Sequence, residues 1–353
     1  MRIQADTLTS IVTAIFEKTG SPTNEAALVS GSLVTANLMG HDSHGVGLVP
    51  TYVRHIKAGL LHPGTAAECV KDDGAIMMFD GRRGFGRRAG GEAMAAATER
   101  CRDTGVVLMT LRNAHHIGRI GAYGEIAMEH GMVSLHFVNV IDHGPTVAPW
   151  GAGEARYVTN PVCIAVPGTK NTPPTLLDMA TSLIALGKAR VAMSKGEQMA
   201  EGLMIDAEGQ PTTDPSLMYA TPKGALLPFG EHKGSGLALM CELLAGGLSG
   251  GGTIQPDNPQ QMSIVNNMFT IVIDPARLVD MIWLQSEIDA TIDYVKSARP
   301  ADPEKPVIVA GDAERARTLE RLEAGIEIND EAWAEITETG EGLGMERPTF
   351  EVA

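Results

Sequence analysis

Gly84-Phe85-Gly86-Arg87-Arg88-Ala89 decides how the chain is read. The stretch matches the G-x-G-x-x-A pattern that opens a dinucleotide-binding βαβ unit, and Asp103 follows nineteen residues after Gly84, near the offset of a ribose-binding acid. Its surroundings do not keep that rhythm. The apolar run 75–79 ends early, Asp80-Gly81-Arg82-Arg83 intervenes, and no succession of further βαβ units follows. A tight strand-to-helix turn that needs glycine's backbone freedom accounts for the same residues. The chain therefore reads as a mixed α/β protein without a Rossmann domain.

Upstream of the stretch the pattern is helical. Leu8, Ile11, Val12, Ile15 and Phe16 recur at helical spacing, Gly20-Ser21-Pro22 interrupts, residues 24–39 resume, and a third helix carries Tyr52, Val53 and Ile56 until Gly59 and Pro63. Downstream, an alanine-rich helix over 91–101 begins an alternating region. Strands are expected at 106–111, 133–140, 158–166, 175–178 and 269–273, with helices at 121–130, 182–193 and 236–248. From residue 276 the chain turns helical and charged, notably over 314–324 and 331–338, and 300–306 is linker-like. The division is thus 1–74 helical, 75–275 mixed α/β, and 276–353 helical.

The 43 acidic against 28 basic residues leave a formal charge of −15, which argues against nucleic acid or an anionic membrane as partner. The 44% hydrophobic content can supply a core. No segment approaches the ~20 uninterrupted apolar residues of a spanning helix, and the N-terminal residues lack a basic start followed by an apolar run, so a cytoplasmic location is expected. Cys69, Cys101, Cys163 and Cys241 are far apart without C-x-x-C spacing, which predicts buried free thiols instead of disulfides or zinc.

Four constellations carry chemistry. His41-Asp42-Ser43-His44-Gly45 groups two imidazoles, a carboxylate and a hydroxyl after a helix. Read alone, it fits either a helix end or a proton-transfer site. Asn113-Ala114-His115-His116-Ile117-Gly118-Arg119 lies between a strand and a helix, where α/β proteins place reactive groups; the adjacent histidines point apart on a strand, and no metal site is expected. Leu177-Asp178-Met179-Ala180-Thr181-Ser182 ends a strand: Asp178 could orient an imidazole, or the run could simply cap a following helix. Glu231-His232-Lys233-Gly234-Ser235-Gly236 opens a helix with free N–H groups suited to an anion, without being a Walker A loop.

D-S-H-G at 42–45, H-x-G at 116–118, T-N-P at 159–161, D-x-A-T-S at 178–182 and H-K-G-x-G-L at 232–237 stand together in an order and spacing that resembles the type 2 malate/L-lactate dehydrogenase family over nearly the whole chain. G-H-D-S-H-G-V-G at 40–47 and H-H-I-G-R-I-G at 115–121 are most similar to its hydroxycarboxylate dehydrogenase B branch. The resemblance implies an NAD-dependent, or NADP-dependent, homodimeric oxidoreductase. It also implies a non-Rossmann mixed-sheet cofactor domain and a helical domain built from both chain ends. By carry-over His116 exchanges the proton, His44 contacts nicotinamide and substrate, and Asp178 orients the imidazole. Cofactor contacts fall at His44, Gly118, Arg119, Ile120, Leu176, Leu177, Asp178, Met179, Ala180, His232, Asn266, Gly311, Asp312, Ala313 and Glu314.

The implied substrate is a small anionic 2-oxo or 2-hydroxy acid. Reduction of a cyclic or N-alkyl imine of a 2-oxo acid is the alternative reaction, and a non-catalytic ligand-binding protein is a third reading that the intact His44 and His116 oppose. Many relatives carry arginine four residues after the D-S-H-G histidine; this chain has Leu48. Arg119 or the Lys233 loop could then meet the carboxylate, or the substrate could be bulkier and more apolar.

Overall fold

The computed structural model describes residues 1–258 and 261–347. Strand β1 (Arg2–Ile3) leads into helices α1 (Ala5–Lys18) and α2 (Thr23–Leu38), and a third helix, α3 (Val49–Lys57), follows the His44 turn. The apolar positions spaced along α1 bury Leu8, Val12, Ile15 and Phe16, which is the stripe the sequence predicts. These helices share a core with Ile326, Ile328 and Ile336 from the other end of the chain.

The central sheet has seven strands: β2 (Glu68–Asp73), β3 (Ile76–Asp80), β4 (Val106–His115), β5 (Val133–Ile141), β6 (Val162–Val166), β7 (Thr175–Met179) and β11 (Val265–Ile273), in the order β2-β3-β4-β11-β5-β6-β7. Among the described residues, β3 and β4 pair parallel and every other neighbouring pair in this sheet runs antiparallel. A doubly wound dinucleotide fold has mostly parallel strands, so the sheet order itself differs from that pattern. Helices α4 (Gly86–Thr104) and α5 (Gly121–Glu129) bury Ala89, Ala93, Met94, Ala97 and Tyr123 in the sheet's core. The small alanines let α4 approach the strands closely.

The Gly84–Ala89 stretch is the seam between the two cores. A Cβ at Gly86 would lie 1.8 Å from the His115 carbonyl oxygen, so the glycine seats the start of α4 directly on the end of β4. Phe85, between the glycines, is 1% exposed and meets Phe16 edge-on at 5.4 Å, inside the helical core. The pattern is spent on packing, which is why a phosphate-loop reading of it misleads.

After β7 come α6 (Leu186–Ser194), three short strands β8 (Met204–Ile205), β9 (Pro211–Thr212) and β10 (Ala225–Leu226), and α7 (His232–Cys241), which runs into a π-helical turn, Glu242–Gly247. Helix α8 (Met281–Lys296) buries none of its residues and is tied to the 169–172 loop through Asp289. Helix α9 (Asp312–Ala324) contacts α2, β12 (Ile326–Glu327) pairs with β1, and α10 (Asp330–Glu341) packs on α3.

Several expected boundaries shift. The strand expected from 158 starts at Val162 because Thr159-Asn160-Pro161 is held as a loop, with Asn160 at φ +24° and its amide bonded to Glu242 and the Ala238 carbonyl. The helix expected from 182 starts at Leu186: Thr181 donates back to Thr159 and Ser182 to Ile184, so neither caps it. Of the four free cysteines, Cys101, Cys163 and Cys241 are buried and Cys69, on the edge strand β2, is exposed.

Candidate active site

Gly40, at φ +84°, turns the chain out of α2 into a short 3-10 helix, Asp42–His44. Asp42 accepts from Arg321 of α9 at 2.6 and 3.0 Å and from Asn37 Nδ2 at 2.7 Å, while His41 Nε2 lies 3.6 Å from Glu314 Oε1. Asn37 Oδ1 also accepts from the Val46 N–H at 2.8 Å, so close by that a Cβ at Gly45 would come within 2.2 Å of it. The D-S-H-G run is therefore a clamp. It fastens the turn to α2 and α9 and leaves the His44 ring, with Ser43 Oγ 3.0 Å from its Nδ1, facing the interior cleft.

His116 comes from the loop between β4 and α5. That loop is fixed by Ile117 N–H donating to Asn266 Oδ1 at 3.0 Å and by Tyr123 Oη donating to the Ile117 carbonyl at 2.6 Å. His115 takes the opposite side, fully buried with its Nε2 2.8 Å from His55 Nδ1. His116 stacks on His44 with ring centroids 5.5 Å apart and planes 17° from parallel. Its Nδ1 lies 2.6 Å from Tyr52 Oη, leaving Nε2 for a substrate.

Electrostatics keep both rings neutral. Burial holds His116 down to about 3, with the neighbouring His44, His143 and His55 adding to the effect. Burial, then His41 and Arg119, hold His44 down to about 4. Burial pushes the Tyr52 phenol far up, so it stays protonated. A neutral imidazole whose Nδ1 is held by a phenol and whose Nε2 is free can act as a general base at neutral pH.

Two connected cavities meet at this pair. An outer cleft of about 950 Å3 runs along Gly40–His44, Gly118–Ile120, Asp178–Ala180, Ala313 and Glu314. An inner recess of about 160 Å3 is walled by Leu48, Val138, Val140, Val158, Leu186 and Ile264, with His116, His143, Thr146 and Asn266 as polar members. Both are lined by His44, Gly118, Ile120, Thr159 and Pro161. Among the described residues the recess has no lysine or arginine in its lining.

The family pattern described as malate/L-lactate dehydrogenase matches residues 3–337. The chain belongs to this family. As a member it is an oxidoreductase. It is 42% identical over 352 residues to hydroxycarboxylate dehydrogenase B of Escherichia coli K12, spanning 99% of this chain and 96% of that protein. It is also 42% identical over 328 residues to L-lactate dehydrogenase of Cupriavidus necator, spanning 93% and 94%. It superposes on a solved Escherichia coli protein described as a malate/lactate dehydrogenase with a TM-score of 0.93, 42% identity, and coverage of 98% and 96%.

The positions that the family resemblance singles out divide in two. His44, Gly118, Arg119, Ile120, Asp178, Met179, Ala180, Ala313 and Glu314 line the outer cleft, and Asn266 lines the recess. Leu176, Leu177, His232, Gly311 and Asp312 line neither. Leu176 packs under α5, Leu177 is exposed, and His232 is exposed at the start of α7 with Lys233 beside it. Gly311, at φ +94°, and Asp312, paired with Lys296 at 2.8 Å and Arg315 at 2.6 Å, shape the beginning of α9.

Among the described residues Asp178 hydrogen-bonds neither His44 nor His116. Its Oδ2 accepts from the Gly121 N–H at 2.8 Å and lies 3.9 Å from Arg119 Nη1, so it caps α5, whose own N-cap residue, Ile120, offers no acceptor. The orienting group on His116 is Tyr52. On sequence alone Tyr52 is one more apolar position of a helix; the signal that finds it is chemical, since a buried tyrosine hydroxyl needs a partner.

Proposed function

We infer that the protein is a nicotinamide-dependent dehydrogenase interconverting a 2-hydroxy acid and its 2-oxo acid, with the dinucleotide in the outer cleft and the substrate in the recess. The observation that carries this reading is the His44–His116 stack where the two cavities join. The cleft suits the cofactor. Its volume is that of a ligand site. His44, Gly118, Arg119, Ile120 and Asp178 to Ala180 would hold it, on a sheet whose pairing supports a non-Rossmann seat. Bound there, the nicotinamide supplies the hydride exchange at the substrate's α-carbon.

The chain's own residues manage the proton. For oxidation, His116 Nε2 takes the proton from the alcohol, which requires the tautomer that keeps the hydrogen on Nδ1, 2.6 Å from Tyr52 Oη. For reduction, the same ring returns the proton from Nε2. His44, stacked on His116, walls the junction and shields it from water. Because the recess is apolar and Leu48 lines it, we infer a 2-oxo acid with an uncharged, apolar side chain, its carboxylate turned toward the polar junction. Exposed Leu239, Met240, Leu243 and Leu248 along α7 and the following turn support a homodimer.

Steady-state kcat/KM with NADH and NADPH tests the reading, using phenylpyruvate, oxaloacetate, 2-oxoglutarate and piperideine-2-carboxylate. Phenylpyruvate is expected to exceed the dicarboxylates by about tenfold or more, the discrimination an apolar pocket provides against a second charge. Preferred turnover of the cyclic imine would replace the reaction, and no turnover of any of the four would overturn it.

A further inference from the structure

The Arg87 that follows the Gly84–Gly86 turn faces a third cavity, separate from the cleft and recess. This cavity, about 280 Å3, lies in the seam between α2, α4 and α5, and its polar lining is Ser32, Thr35, Arg87, Arg119 and Glu125. Its charge does not balance. Glu125 spends both oxygens on Arg119 Nη2, at 2.7 Å each, and no carboxylate among the described residues pairs with Arg87. Arg87 lays its guanidinium over the Tyr123 ring, 5.3 Å from the centroid, and its Nε is buried without a hydrogen-bond partner. Arg119 Nη1 is buried without a hydrogen bond among the described residues as well, with Asp178 Oδ2 at 3.9 Å. Arg88, one residue on, shows the contrast: it is saturated by Glu25 at 2.9 Å and Glu92 at 2.8 Å.

Two further features point the same way. Arg87 stands in the first turn of α4, which has no acidic residue, so its charge adds to the positive end of the helix where an anion is favoured. The chain around it carries a formal charge of −15, yet no carboxylate among the described residues pairs with this guanidinium, whose contact is the Tyr123 ring. We propose that this seam cavity binds a phosphate-class oxyanion, held by Arg87 and Arg119 with the hydroxyls of Ser32 and Thr35. Donors converging from α2, α4 and the loop before α5 suit a tetrahedral group with several acceptor oxygens better than a planar carboxylate. The anion would tie α2 of the helical core to α4 and α5 of the sheet core.

Inorganic phosphate is the probe. Thermal melting and calorimetric titration of the full chain are run at constant ionic strength with chloride as reference, each with and without saturating NAD or NADP. The wild type is expected to show a saturable, phosphate-specific rise in melting temperature that persists with either dinucleotide bound. Arg87→Gln is expected to weaken phosphate binding by about tenfold or more, the loss of one charge-assisted contact, with kcat unchanged. Should that variant fold poorly, Ser32→Leu, which fills the cavity from α2, is expected to abolish the response. An equal shift in wild type and Arg87→Gln overturns the proposal, as does an equal shift with chloride. A phosphate response that vanishes on adding dinucleotide overturns it too, since the anion then sits in the main cleft; none of these results bears on whether the protein is a dehydrogenase.

Discussion

His116 can exchange a proton through Nε2 only while its other nitrogen keeps a hydrogen, and the proposed mechanism assigns Tyr52 Oη, 2.6 Å from Nδ1, to accept it. Tyr52→Phe removes the acceptor and nothing of the ring's packing against Phe16 and Phe85. The expected outcome is a fall in kcat of roughly tenfold to a hundredfold, within the range of a general-base contribution, with the cofactor Kd unchanged. The wild-type pH dependence follows from the same ring. With His116 held down to about 3, the neutral base is present throughout the neutral range, so kcat/KM for oxidation should stay flat from pH 8 to about pH 5. Reduction needs the protonated ring, so its kcat/KM should decline as pH rises. A Tyr52→Phe variant with unaltered kcat and unaltered pH profiles would remove Tyr52 from the mechanism.

Helix α4 positions His116 because its first residue has no side chain. With a Cβ at Gly86 only 1.8 Å from the His115 carbonyl oxygen, Gly86→Ala forces α4 away from the end of β4 and carries the His115–His116 loop with it. Overpacking of this kind costs about 1–3 kcal/mol. Urea unfolding should register that loss, and kcat should fall beyond what the unfolded fraction explains. Gly91→Ala, farther along α4 where the nearest neighbour is the end of the Arg87 side chain at 3.7 Å, should leave kcat intact. This seam also marks where sequence reasoning stops. The amphipathic stripe of α1 and the alanine face of α4 follow from periodicity, whereas α4 begins at Gly86, ahead of the expected 91, and β4 runs on to His115, past the expected end at 111. The antiparallel pairing of β11 with both β4 and β5 joins residues more than a hundred positions apart, and no local pattern encodes it. The contact Asp178 makes is illegible for a related reason. Its partner, the Gly121 N–H, is set by how β7 lies beside α5, so a strand-end carboxylate that reads as catalytic turns out to be a cap supplied from a distance.

The protein as a whole stores acid sensitivity in its buried imidazoles. Burial lowers His44, His115, His116 and His136, so the unfolded chain binds protons that the native state refuses. A group whose native pKa lies below its unfolded value near 6.5 stabilises the fold above that pH and loses its contribution as pH falls toward the native value. Asp178 and Glu242, raised by burial, act in the opposite sense and blunt the effect. His136 separates this balance from catalysis. It is fully buried in β5, with Nδ1 2.9 Å from Thr270 Oγ1 and Nε2 2.9 Å from Ser134 Oγ, and it lines neither the cleft nor the recess. Burial alone holds it down to about 3, so between pH 6.5 and about 4 it removes stability at about 1 kcal/mol per pH unit. His136→Gln keeps a polar group between the two hydroxyls without the titration. Denaturant unfolding at pH 7 and pH 4.5 should show the variant somewhat less stable than wild type at pH 7 and losing less stability on acidification, with kcat at pH 7 unchanged. Parallel losses in the two proteins would mean that His136 does not contribute to the acid limb, and the carboxylates and remaining imidazoles would have to account for it.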